Sequence, residues 1–220
     1  MTRLIKFLSI LLLIISTILV KPSAQDNKYN NEFYKALNSL VRSKYPKISL
    51  IIDSTWNVYT TPYGEHSIPK EKVETPPPPP VPGIIYYDRC TFKYLVISNK
   101  LDSNDVEFMY KSIDSTKNFI IDQNKIGLSV IPWHKVIKIL RNREGDFTDD
   151  IIEKTYGARN FIIVSTPIFN ADYTSLIITI KQHHGAEDLS GIQYVMRKRG
   201  ENWKIVKESK VVKRKFKLMP

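Results

Sequence analysis

The chain has 220 residues, with 33 basic residues against 22 acidic ones and a single cysteine. That length leaves room for one domain with a core of its own, or a domain plus an appendage. One cysteine excludes an intramolecular disulfide, so stability must come from core burial, and Cys90 reads as a small buried apolar residue.

The chain opens on a targeting segment, residues 1–24. Arg3 and Lys6 form a basic start, and the 14 residues from Phe7 to Val20 form an apolar core. This is the length of a signal peptide and short of the roughly 20 residues that a membrane-spanning helix needs. Small residues follow, and cleavage is expected after Ala24, although Pro22 fits the small-x-small rule poorly. Export to the periplasm, the outer surface or the medium follows, with an N-terminal membrane anchor as the outcome if the segment stays attached.

The charge is unevenly distributed. Without Arg3, Lys6 and Lys21 the chain keeps 30 basic residues against 22 acids, and residues 197–220 hold ten basic residues and two acids. The excess therefore belongs to one end, and residues 25–196 are balanced.

Residues 25–60 read as an N-terminal helix and a strand. Phe33, Leu37, Leu40 and Val41 lie at i, i+4, i+7 and i+8, a single apolar stripe. Asp26, Asn30 or Asn31 is expected to cap this helix, and Pro46 to close it. Residues 48–60 are rich in β-branched and aromatic side chains and predict a strand. Residues 61–83 then hold eight of the thirteen prolines, and the run TPPPPPVPG predicts an extended polyproline loop or linker.

An α+β domain is expected over residues 84–212. Its first part contains a strand around Tyr94 to Ile97, then a short helix after Asp102, with acids at its start as the helix dipole prefers. PWHKVIKILRN predicts a further helix with Trp133, Val136, Ile137 and Leu140 on one face. DFTDDIIEKTYG predicts another, with Thr148 as cap and Gly157 as stop. Four strand-like runs follow, FIIVSTPIFN, SLIITIKQ, GIQYVMRKR and NWKIVKESKVV, separated by turn-forming stretches. Ile192, Tyr194 and Met196 alternate with polar neighbours, which predicts a four-stranded antiparallel meander with one side packed on the helices. Residues 213–220 form a basic tail.

Thr155-Tyr156-Gly157, then Ser165-Thr166-Pro167-Ile168-Phe169-Asn170, Asp172, Gly185 with Gly191, and Gly200-Glu201-Asn202-Trp203-Lys204-Ile205 follow one another in order. In this pattern the chain resembles a group of uncharacterised exported proteins typical of the Bacteroidetes, whose final region runs Ser-x-Pro-x-Phe-Asn, a Gly-containing loop and a Gly-x-Trp-x-Ile-like end. The resemblance implies fold and export and attaches no reaction. Many of those proteins carry cysteines in the loop that His183 to Ser190 occupy here, so no role of those cysteines transfers. The order of helices before a sheet, with the Trp203 motif, is also similar to NTF2-like domains, which would imply a cone-like pocket.

KQHHGAEDLSG is the stretch richest in reactive side chains. His183, His184, Glu187 and Asp188 are the candidate metal ligands, but the adjacent histidines point to opposite faces of a strand and the usual zinc spacings are missing. A solvated hairpin end, with Gly185 and Gly191 giving the turn its freedom, is the expected reading. Asp149-Asp150 suit a helix N-terminus, and Asp172 suits an Asx-type turn. No catalytic set and no cofactor motif emerges.

The basic end is the strongest surface signal. Arg197, Lys198, Arg199, Lys210, Lys213, Arg214, Lys215 and Lys217 are the candidate anion-binding residues. An exported chain meets anionic envelope components and not nucleic acid. The expectation is a non-enzymatic, envelope-associated interaction or accessory module; the competing expectation is a small-ligand binder or enzyme with a pocket on the concave face of the sheet.

Overall fold

The fold is described from a computed structural model, in which residues 24–60, 84–87, 89–98, 100–116, 118–141, 148–184 and 187–211 are described. The expected targeting segment, the proline-rich stretch and the basic tail lie almost wholly outside these residues. The chain divides into two compact units, residues 1–33 and 34–220. The described part of the first is the helical stretch 24–33.

Helix α1 runs Ala24–Lys44. It starts earlier than expected, so Asp26, Asn30 and Asn31 lie within it and none is its first residue. Its end just before Pro46 follows from the exclusion of the α conformation before proline. All four residues of the predicted stripe are buried.

The stretch 48–60 makes two strands, β1 (Leu50–Ile52) and β2 (Asn57–Thr60). Beyond the prolines come β3 (Ile84–Tyr87) and helix α2 (Arg89–Ile97). The strand expected at Tyr94 to Ile97 is thus the end of a helix. Phe92 and Leu95 are buried while Tyr94 and Ile97 are exposed, a three-residue spacing that fits a helix face and not a strand. Aromatic and β-branched composition favoured a strand there, and packing overrode that weak preference.

Helix α3 (Ser103–Ser112) starts where predicted, with the Asp105 backbone N–H donating to the Asp102 carboxylate at 2.8 Å. Strand β4 (Ser129–Ile131) precedes helix α4 (Trp133–Arg141), and helix α5 (Thr148–Tyr156) ends at Gly157 with φ +79°. That left-handed conformation is the one glycine adopts without strain.

The four C-terminal runs form strands, but the first is broken. β5 (Phe161–Val164) and β6 (Ile168–Phe169) flank Ser165-Thr166-Pro167, and both pair with β7 (Ser175–His184). Proline has no N–H for the ladder, which interrupts the run. β8 (Glu187–Arg199) and β9 (Asn202–Val211) complete the sheet.

Helices with a sheet bear out the α+β class, but the sheet is mixed and not a four-stranded antiparallel meander. Its order is β4-β1-β5-β7-β8-β9, with β6 also on β7. β1 pairs in parallel with both β4 and β5, so residues 48–60 supply an inner strand and are no separate N-terminal piece. β2 and β3 form a second, parallel pair.

Both faces of the sheet are packed. Leu50, Ile52, Phe161, Ile163, Ile177 and Val195 share one core with Phe92, Leu95, Met109, Val136 and Ile152 from α2 to α5. On the other face Ile178, Tyr194, Met196 and Trp203 are buried. There Ser39 of α1 donates to the Trp203 carbonyl at 2.9 Å, and the Tyr45 and Tyr194 hydroxyls lie 2.9 Å apart. Each fully buried large apolar side chain contributes about 1.5–3 kcal/mol.

Candidate anionic-surface site

β9 is an edge strand, and its pairing with β8 sets which cations share a face. Arg197 lies opposite Lys204, Val195 opposite Lys207 and Arg199 opposite Asn202. Because side chains alternate along a strand, Val195, Arg197 and Arg199 lie on one face, the side that packs on α2 to α5. A register shift between Val195 and Met196 leaves Val206 as an extra residue on β9, and this bulge sets Lys204 and Lys207 beside Arg197 and Val195. The Gly200-Glu201 turn joins the strands, with Gly200 at φ +61°.

The consequence is an unbalanced cationic face. Arg197 is half-buried, and Arg199 and Lys204 are exposed. Among the described residues no carboxylate forms an ion pair with any of the three. Like charges directly opposite across a strand pair destabilise it by a few tenths to about 1 kcal/mol. Lys207 places its ammonium 3.8 Å from the centroid of the Tyr94 ring, a cation–π contact.

The remaining candidates divide. Lys198 lies opposite Trp203, on the α1 side, with its ammonium 3.9 Å from Glu201, which also pairs with Lys35 at 2.7 Å. Lys210 lies opposite Ile192, also on the α1 side, and is exposed. Lys213, Arg214, Lys215 and Lys217 fall outside the described residues. Lys204 and Lys207 were missed as site residues. Counting cations in the sequence includes them, but the bulge that sets their register has no signature in the sequence.

His183, Glu187 and the rest of the histidine stretch sit differently from expectation. His183 is buried and stacks on Phe161, with ring centroids 4.6 Å apart and planes 18° apart; it is no solvated hairpin end. His184 pairs in register with Glu187, and Gly191 lies inside β8 opposite Lys181, not in the turn. Gly185 lies outside the described residues, and Asp188 is within β8. Among the described residues no three His, Cys, Asp or Glu side chains come together as a metal site.

The C-terminal ends of the parallel strands are where sheets of this kind commonly hold ligands. Here Asp53, after β1, accepts from the Trp133 N–H at the start of α4 at 3.0 Å. The Thr55 and Thr166 hydroxyls bond at 3.0 Å, and Tyr87 bonds Thr179 at 2.6 Å. Burial, first of all, pushes the Tyr87 phenol up from its ordinary range. Lys181 lies 4.6 Å over the Trp56 ring, which tilts against Trp133 at 5.9 Å. These polar groups bond chiefly to one another, so they tie loops together.

Two carboxylates near the β6–β7 turn have opposite tendencies. The Thr174 hydroxyl and N–H hold Asp172 below its usual range, which makes the Asx-type turn expected from sequence. Burial raises Asp105, against the hydrogen bond it accepts from the Asn170 amide at 2.9 Å.

On the α1 side a shallow groove of about 540 Å³ runs between α1 and the Gly200-Glu201 turn, lined by Lys35, Asn38, Ser39, Arg42, Glu201 and Trp203 among others. Ser39 and Asn38 already donate within the chain. No described helix is long and apolar enough to cross a membrane. Comparison with protein families, with curated proteins and with solved structures found no match.

Proposed function

We propose that this chain is an exported, non-enzymatic accessory module that binds an anionic component of the cell envelope through the cationic face of its C-terminal hairpin. The observation that carries this reading is the Arg197–Lys204 pair, two cations set directly opposite without a carboxylate partner among the described residues. Such an arrangement costs stability when the protein is alone. An external anion removes the repulsion and gains charge-assisted contacts. Export and the tail 213–220 belong to the same reading: the tail adds four cations to those on β8 and β9. The opposite sheet face, filled by Ile178, Tyr194, Met196 and Trp203, favours a surface binder over a pocket.

Elution of the full chain from a polyanionic column in a salt gradient tests this. Arg197→Gln with Lys204→Gln, and separately deletion of 213–220, should each lower the eluting salt concentration while the melting temperature holds. Unchanged elution of both variants would overturn the reading.

A further inference from the structure

The cationic face is continuous with exposed apolar surface on α2. Tyr94 is 53% exposed and Ile97 is 81% exposed. They are three residues apart, so they stand on one side of the helix. The contact of Lys207 with the Tyr94 ring joins this side of α2 to β9, and Lys204 and Arg197 lie next along the same sheet face. A single exposed isoleucine needs no explanation. An isoleucine and a tyrosine beside a row of cations that have no acid partner among the described residues is a more specific combination.

We propose, resting on the anion-binding reading above, that the occupant of this face is an anionic phospholipid bilayer, met side-on by α2 and β9. Lipid differs from a soluble polyanion in offering an acyl region beneath its charges. Cations attract the headgroups of such a surface. Ile97 then enters the boundary below them, and Tyr94 takes the interfacial level its ring and hydroxyl prefer. Lys207, held over Tyr94, keeps its charge at the headgroups while the ring goes deeper. A polysaccharide or other soluble polyanion would use the cations and leave Ile97 in water.

The test reads position 97 itself, so the apolar N-terminal segment of the full chain cannot imitate the result. A spin label is placed at Ile97→Cys in a Cys90→Ser background, and its collisions with oxygen and with a water-soluble nickel chelate are compared. On vesicles of phosphatidylethanolamine with phosphatidylglycerol the oxygen-to-nickel ratio should rise about threefold or more, as for a side chain below the headgroups. On phosphatidylcholine vesicles, and in the Arg197→Gln, Lys204→Gln, Lys207→Gln variant, the rise should disappear. A label that stays in water on anionic vesicles overturns the lipid proposal. If column elution still depends on Arg197 and Lys204 in that event, the anion-binding reading stands and a soluble polyanion is the partner; if it does not, both fall. Should the Cys90→Ser background fail to fold, hydrogen exchange of the unsubstituted chain decides. Slowed exchange over residues 92–98 and 203–208 on anionic vesicles alone supports the proposal, and unchanged exchange there overturns it.

Discussion

Tyr45, just beyond helix α1, and Tyr194, in the middle of β8, meet through their hydroxyls at 2.9 Å with their rings edge to face at 6.3 Å. The pair holds α1 against the sheet face opposite the cationic one. Each hydroxyl is the other's partner, so removing one leaves a buried polar atom unsatisfied. Tyr45→Phe or Tyr194→Phe should each cost about 1–2 kcal/mol, and the double variant clearly less than the sum. Urea unfolding of the four proteins measures this cycle; strict additivity would mean that the bond contributes nothing.

Alkaline pH should unfold the protein through its buried phenols. Burial raises Tyr45, Tyr87 and Tyr194 above the ordinary phenol value. A folded-state pKa above the unfolded one gives stability that is fully present below about pH 10 and lost as pH rises beyond it. Tyrosinate absorbance should therefore rise in step with loss of circular dichroism. Tyr87→Phe should make the alkaline loss less steep. Ionisation of all tyrosines before any structural change would contradict this.

Asp53 joins the end of β1 to the start of α4 by accepting the Trp133 N–H. Asp53→Ala removes this cap and should cost about 1 kcal/mol, with Asp53→Asn recovering most of it. Thermal melts of the two variants provide the comparison. Equal losses would place the effect in charge and not in the hydrogen bond.

His183→Ala should lower the melting temperature, because the ring is buried against Phe161. Lost burial and stacking together amount to roughly 1–3 kcal/mol. His183→Phe keeps the aromatic contact and should recover a large part. A neutral His183→Ala would return the residue to the solvated role read from sequence.

Lys204→Glu should stabilise the hairpin while impairing its binding. It converts a like-charged cross-strand pair with Arg197 into an opposite one, a gain of up to about 1 kcal/mol. The melting temperature should rise and retention on a polyanion should fall. A variant that loses stability would show that the two cations do not repel across the strands.

Much of the local structure was legible in the sequence. The stripe of α1, the Asp102 cap, the stop at Gly157 and the alternation of Tyr194 and Met196 each depend on neighbours within a few residues. Backbone geometry and burial periodicity act over that range. The strand expected around Tyr94 to Ile97 is a helix end, because aromatic and β-branched side chains favour a strand only in general, while burial of Phe92 and Leu95 at helical spacing decides the matter.

By itself, the sequence determined the concentration of charge at one end, the lack of an internal disulfide, and the order of strands and turns in the last third. Tertiary structure alone decided that residues 50–52 enter the sheet between β4 and β5, and that His183 is buried. It alone set Arg197 beside Lys204 and Lys207 over Tyr94. Each of these depends on pairing register or on packing between residues far apart in the chain. The bulge at Val206 shows why such facts escape a linear reading: one extra residue on β9 chooses which cations share a face, and nothing in its own identity announces it.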